Sequence, residues 1–233
     1  RFSILQDLLC VFTGGGLQPE INGAAVPLYQ PLVVRTGSSI TCTRPTDGYR
    51  LYLAVSGGFL AAQQLGSGST DLLTQTGGYE GRPLRKLDLL HQAQPLTTQQ
   101  QMLKAVLNAP VSIAIQHQPP QDYEGAIRVL AGPDCDLPPA QLQQWLRQTT
   151  CTVLMQSNRM GYRLQPNQEL AISCKELISS PVTQGTIQLT PGGEWLVLMA
   201  DGPTIGGYPR ILQVIAADLH RMAQQRPGAM VQF

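Results

Sequence analysis

Apolar positions in the first part of the chain fall in short runs cut by turn formers. From Leu8 to Phe59 they read CVFTGGG, INGAAVPLY with its Asn22-Gly23, PLVVRTGSSITCTRP and GYRLYLAVSGGF. Runs of this length, rich in Val, Ile, Thr and aromatic residues and bounded by Gly, Pro and Asn, predict β-strands. RLYLAVS is apolar almost throughout, which predicts a strand covered on both faces. The Gly/Ser/Thr stretch LGSGSTDLLTQTGGYEG comes next, and RPLRKLDLL predicts a closing strand, so a first β-barrel-like domain is expected over residues 1–92.

The pattern changes over residues 93–125. QPLTTQQQMLKAVLNAP is helix-compatible, with Thr97 or Thr98 as N-cap and Pro110 after the stop, and QHQPPQDYEG reads as a polar linker. Residues 126–233 return to strands: AIRVLAGP, then a helix from about Pro139 to Thr149, then CTVLMQSNRMGYRL. A hairpin follows, Thr186 to Thr190 and Trp195 to Ala200 around Pro191-Gly192-Gly193; a short helix, AADLHRMAQQ, stops at Pro227-Gly228 before a last strand, AMVQF. Strand outweighs helix and no βαβ alternation is present, which predicts a mainly β fold of two barrel-like units with a few short helices. RPLRKLDLL echoes RPGAMVQF and YLAVSGG echoes LVLMADG, as a duplication would leave them.

Composition narrows the function classes. The 233 residues can bury a proper core, 42% of them are hydrophobic, and only 13% are charged, about half the usual share. A surface so poor in charge fits a permanent partner. The net charge of +1 and the absence of a Lys/Arg cluster argue against nucleic acid. Five scattered cysteines without a CxxC and three distant histidines favour reduced thiols over disulfides or a metal site. No apolar run approaches the length of about 20 residues that a bilayer requires, and the start does not read as a signal peptide, so no membrane association and a cytoplasmic location are expected.

No nucleophile elbow, Walker loop or GxGxxG follows a strand. VFTGGG and VSGG read either as tight turns or as backbone anion cradles. In QSNRMGYRL, strand alternation puts Arg159, Gly161 and Arg163 on one face and Met160 and Tyr162 on the other; an Arg there serves equally as anion clamp or structural ion pair. CKELISSPVTQG sets Lys175, Glu176 and Ser179 before a turn, where charges are usually solvated. In ADGPTIGGYPRI, Asp201 reads as base, metal ligand or partner of Arg210, Gln188 offers an amide, and Gly206-Gly207 either admits a ligand or caps the barrel.

YLAVSGG, LGSGSTDL, GGYEGRPL, RVLAGP, SNRMGYRL, ELISSPVTQGTIQL and VLMADGPTIGGYPRI, in this order, resemble the biotin-dependent carboxyltransferase-like family. That family contains the C subunit of bacterial ATP-dependent 5-oxoprolinase and the carboxyltransferase part of urea carboxylase. Its members are also called allophanate hydrolase subunit 2 and kinase-inhibitor antagonist. The resemblance runs from about Leu8 to Phe233 and implies two cyclophilin-like β-barrel domains working with 5-oxoprolinase subunits A and B. The implied reaction is opening of the 5-oxo-L-proline lactam to L-glutamate, with ATP bound on this or a partner subunit. The alternatives are a carboxyltransferase subunit, the one case that involves biotin, or a non-catalytic regulator binding a kinase-inhibitor-like partner. Carried over position by position, the resemblance implies Asp201, Arg159, Gln188 and Glu176 as catalytic residues. It implies Tyr162, Ser179, Thr204, Gly206, Gly207, Tyr208 and Arg210 as substrate-binding residues and no metal. The family normally starts with a further TIQDLGRxG…GAMD-like segment, and the chain is expected to begin after it. Two positions depart from the pattern: Gly68 stands where Arg is usual, and Gly202-Pro203 where Ala-Gln is usual, so Pro203 offers neither amide nor backbone N–H.

Overall fold

The computed structural model describes residues 1–108, 125–168 and 177–233. It is mainly β with few helices and divides into two compact units, one from Arg1–Thr46 and Leu51–Pro119, the other from Asp47–Arg50 and Pro120–Phe233.

In the first unit the strands are β1 (Phe2–Ser3), β2 (Leu8–Gly14), β3 (Leu17–Ile21), β4 (Ala24–Ala25), β5 (Pro31–Val34), β6 (Ser39–Pro45) and β7 (Leu51–Val55). They form two antiparallel sheets, ordered β1-β6-β3-β4 and β5-β2-β7, around a core of Cys10, Phe12, Val34 and Ile40. Asn22 and Gly23 join β3 to β4 with φ of 52° and 84°, the left-handed pair that Asn-Gly supplies to a tight hairpin.

Two expectations fail here. β7 is not covered on both faces: it is the edge of its sheet and its burial alternates, with Tyr52 49% exposed. A run of apolar letters hid that alternation because Tyr and Ala tolerate water. RPLRKLDLL is not a strand either. Arg82 grips Asp88 through both oxygens at 2.7 and 2.9 Å, the Arg85 N–H donates to the same carboxylate at 2.6 Å, and Leu87 takes φ 77°, so the segment closes on itself as a loop.

Helix α1 (Thr98–Leu107) starts as expected. Thr97 Oγ1 accepts from Gln100 N at 3.3 Å while Gln100 Oε1 accepts from Thr97 N at 2.9 Å, a reciprocal cap. Thr97→Ala should lower the unfolding free energy by about 1 kcal/mol in a urea titration; an unshifted midpoint would show that the cap contributes nothing.

The second unit contains β8 (Val129–Ala131), α2 (Pro139–Gln148), β9 (Cys151–Val153), β10 (Gly161–Pro166), β11 (Ser180–Pro181), β12 (Thr186–Leu189), β13 (Trp195–Leu198), β14 (Ile205–Gly206), β15 (Arg210–Val214), a 3-10 turn (Ala216–Asp218), α3 (Leu219–Ala223) and β16 (Met230–Val231). Seven strands make one antiparallel sheet, β16-β9-β10-β13-β12-β15-β8. The sheet curls as a half-barrel, and just outside its two edge strands the Ile127 N–H donates to Gln232 O at 2.8 Å. Inside lie Val153, Tyr162, Leu164, Ile187, Trp195, Val197 and Leu212, with Trp195 stacked on Trp145 of α2 at 5.2 Å. α2 contributes Leu142 and Leu146, one helical turn apart, to the same core.

A buried charge network ties the start of β8 to the 3-10 turn. Asp218, 0% exposed, accepts from Arg128 N, Nε and Nη2 at 2.8, 3.0 and 2.7 Å and from Arg221 Nη1 at 3.3 Å. The Arg128 guanidinium holds the carboxyl well below the usual carboxylate range, against the opposing effect of burial.

Candidate functional site

The turn before β10 presents Arg159. Its Nε and Nη2 donate to Asp201 Oδ2 and Oδ1 at 2.6 and 3.1 Å, and the Asp201 N–H donates to Arg159 O at 3.0 Å. Both side chains are about half exposed, at 57% and 46%. Asp201 therefore pairs with Arg159; the reading that pairs it with Arg210 is overturned. The expected alternation around this strand holds only from Gly161 on. Arg163 points outward to Glu194 at 2.7 Å, whereas Tyr162 is 1% exposed, its hydroxyl donating to Ala223 O at 3.1 Å and accepting from Arg50 Nη1. Tyr162 thus anchors the strand from inside the core, and its hydroxyl is taken up by protein groups.

Ser179, Thr204, Gly206 and Gly207 lie on one two-stranded ribbon, in which β11 pairs with β14. The ribbon continues at both ends, through the Leu177 N–H to Gly207 O at 2.8 Å and the Val182 N–H to Thr204 O at 2.9 Å. It packs against Gln188 of β12. Thr186, Gln188 and Thr190 alternate with the core residues Ile187 and Leu189 and are nevertheless buried. Gln188, 2% exposed, satisfies its amide N–H on Tyr208 O at 3.1 Å. A Cβ at Gly206 would stand 2.6 Å from Gln188 Nε2, and one at Gly207 3.1 Å from Leu177 O. The room on the Cβ side of both glycines is taken up by the protein's own groups. Gly206→Ala should cost about 1–3 kcal/mol of stability by driving the Gln188 amide off Tyr208, read by urea unfolding; wild-type stability would mean the amide has somewhere else to go.

Arg210 opens β15 opposite Gln188, at a register shift that leaves Ile211 without a partner on β12. Such a bulge re-aims neighbouring side chains. The partner of Arg210 is Asp134, which sequence reasoning did not single out: its Oδ2 accepts from Arg210 N and Nε at 3.0 and 2.7 Å, and Oδ1 from Nη2 at 3.3 Å. Arg210 holds the Asp134 carboxyl below its ordinary range, and Asp134 in turn raises the guanidinium. In AGPDCD nothing distinguishes this acid from any turn aspartate. Beside Arg210 a depression of about 160 Å³ is lined by Pro133, Pro181, Val182, Thr183, Thr186, Leu212 and Gln213. Arg159, Gln188 and Asp201 do not line it. The structure thus sorts the expected residues into an Arg159–Asp201 pair, a Gln188–Tyr208 contact under the ribbon, and an Arg210–Asp134 pair, with Glu176 outside the described residues.

Among the described residues no group of His, Cys, Asp and Glu could hold a metal ion, and no helix is long and apolar enough to cross a membrane. Cys10, Cys42, Cys135 and Cys151 are free thiols; burial pushes Cys10 up to about 11 and Cys151 up to about 12, so both are poor nucleophiles.

The carboxyltransferase domain, subdomain A and B, matches residues 1–233. The chain is 33% identical over 228 residues to the C subunit of the Haemophilus influenzae 5-oxoprolinase, covering 98% of this chain and 69% of that protein. Against the C subunit of the Escherichia coli 5-oxoprolinase the identity is 34% over 223 residues, covering 95% and 67%. Among solved structures, the urea carboxylase of Kluyveromyces lactis superposes with a TM-score of 0.74 at 25% identity, over 98% of this chain and 21% of that one.

Proposed function

The chain belongs to the carboxyltransferase domain family, subdomain A and B, and from that premise we propose that it does the work of the C subunit in an ATP-dependent 5-oxoprolinase. Subunits A and B would be its partners, 5-oxo-L-proline its substrate and L-glutamate the product. Both units are read as the family's cyclophilin-like barrels. The observation that carries this reading is the 33% and 34% identity to two 5-oxoprolinase C subunits over nearly the whole chain. Arg159, Arg163 and Arg210 are each already paired with a carboxylate, at 2.6, 2.7 and 2.7 Å, and suit nucleotide phosphates poorly, which favours ATP on a partner subunit.

A five-membered lactam is a poor electrophile. Transfer of a phosphoryl group from ATP to its carbonyl oxygen activates the carbon; water adds there, the C–N bond breaks with the nitrogen leaving as the amine, and a second water releases phosphate from the resulting acyl phosphate to give L-glutamate. In this scheme Asp201 orients the amide and Arg159, its partner, stabilises the charge developing on oxygen. Gln188 holds the ribbon carrying Ser179 and Thr204, and Glu176 keeps its proposed catalytic role. The likeness to urea carboxylase favours a second reading, carboxyl transfer from carboxybiotin to a urea-like acceptor. Glutamate release from 5-oxoproline and ATP separates the two. It should occur when this chain is combined with subunits A and B and be absent when those two are assayed alone. Stable association without release would overturn the 5-oxoprolinase reading.

A further inference from the structure

Arg159 and Asp201 both lie outside the strands, yet they meet through a two-oxygen fork. At 57% and 46% exposure the pair cannot hold itself in place, because a half-exposed ion pair contributes little against the rotamer freedom of a long arginine. The backbone beneath must therefore do the aiming. The Asp201 N–H donates to Arg159 O, the Met199 N–H to Met160 O and the Gly202 N–H to Met199 O, each at 3.0 Å. The first two of these bonds extend the β10–β13 pairing beyond Gly161 and Leu198. The carbonyls they use, Arg159 O and Met160 O, are set by how the chain turns between Ser157 and Gly161.

Side chains build that turn. Ser157 Oγ accepts from Arg163 N at 3.1 Å and donates to Arg163 O at 3.3 Å. The Asn158 N–H donates to Gly161 O at 3.1 Å, and Asn158 Oδ1 accepts from Met160 N and Gly161 N at 2.8 and 3.3 Å. The two N–H groups that follow Arg159 are thus gathered on one oxygen, the local turn that Asn side chains close on backbone two residues on. Arg163 has no need of such a device, since it lies within β10 and the ladder sets its direction. Asn158 is itself exposed, and its side chain bonds to backbone alone. We propose that Asn158 is a positioning residue, whose side-chain carbonyl fixes the turn that aims Arg159 at Asp201. For its effect on turnover this rests on the roles proposed above for Arg159 and Asp201; for the geometry it rests on these hydrogen bonds alone.

The Arg159 Nε–H signal in the NMR spectrum of the full chain, identified by its loss in Arg159→Lys, reports the aim directly. In Asn158→Ala it should move toward the position of solvent-exposed arginines and exchange with water at least about tenfold faster. Asn158→Asp, which keeps the accepting oxygen, should leave the signal in place. Both variants should unfold in urea close to the wild-type midpoint, since only an exposed side chain is changed. In the complex reconstituted with subunits A and B, Asn158→Ala should lower kcat about tenfold and leave KM within about twofold, because the interaction lost is with charge that develops in the transition state. Added to Asp201→Asn it should cost no further turnover, since the group Arg159 is aimed at has already been altered. An unmoved Arg159 signal in Asn158→Ala, or a full tenfold loss on top of Asp201→Asn, overturns the proposal. A displaced signal with wild-type turnover leaves the positioning and removes Arg159 from the mechanism. Absence of glutamate release from the wild-type complex removes the 5-oxoprolinase reading, and the NMR comparison then decides the positioning by itself.

Discussion

Asp218→Ala should lower the unfolding free energy by about 3 kcal/mol, the lower end of what removing one partner of a buried ion pair costs. The carboxylate is fully buried and receives hydrogen bonds from two arginines and a backbone N–H. Without it, Arg221, only 11% exposed, is left a buried cation, while Arg128, 47% exposed, can turn to water. That unequal exposure argues for the lower figure. Asp218→Asn should lose less, since it still accepts from Arg128. Chemical unfolding at neutral pH measures both, and a loss below about 0.5 kcal/mol for Asp218→Ala would mean the network contributes little. The pH dependence has a definite sign. The folded pKa is depressed, so the stabilisation is present above the unfolded value of about 3.9 and is lost as pH falls below it. Wild type should therefore destabilise more steeply below about pH 4 than Asp218→Asn does.

Asp201→Asn should reduce turnover of the reconstituted complex by about two orders of magnitude. The carboxylate engages Arg159 through both oxygens, and an amide can accept through only one, so orientation and charge are lost together. Because both side chains are about half exposed, the fold should lose less than about 1 kcal/mol. Arg159→Lys keeps the charge and loses the fork, and should fall between wild type and Asp201→Asn. Turnover at the wild-type rate in Asp201→Asn would remove Asp201 from the proposed mechanism.

What could be read in the sequence follows from how local each cause is. The Thr97 cap, the Asn22-Gly23 turn, the hairpin around Pro191-Gly192-Gly193 and helix α2 are each set by residues within one or two turns of one another, and each stands where the pattern put it. RPLRKLDLL failed because an Arg82–Asp88 contact outweighed strand propensity, and charge pairs leave no periodic mark. The site shows the same division. Asp201 and Arg210 stood out locally as charges in a Gly/Pro-rich loop, but their partners lie 42 and 76 residues away in the chain. Ser179, Thr204, Gly206 and Gly207 come together because a ribbon pairs two segments that each looked like a separate turn. The close approach that Gly206 permits is to the Gln188 amide, and that of Gly207 is to Leu177 O and the Ser179 hydroxyl, none of them a neighbour in the sequence pattern.

The seam of the second sheet has a consequence for how the chain is made. Its edges are β8 and β16, the first and last strands of that sheet in chain order, and one hydrogen bond from Ile127 N to Gln232 O links the residues that flank them. On the ribosome every other strand of that sheet emerges before the one that closes it. Until β16 leaves the exit tunnel, β9 has an open flank where Cys151 and Thr152 await Val231 and Met230. Closure across so long a loop is entropically slow, so the nascent chain passes through a stage in which an unpaired edge is offered to any neighbouring strand.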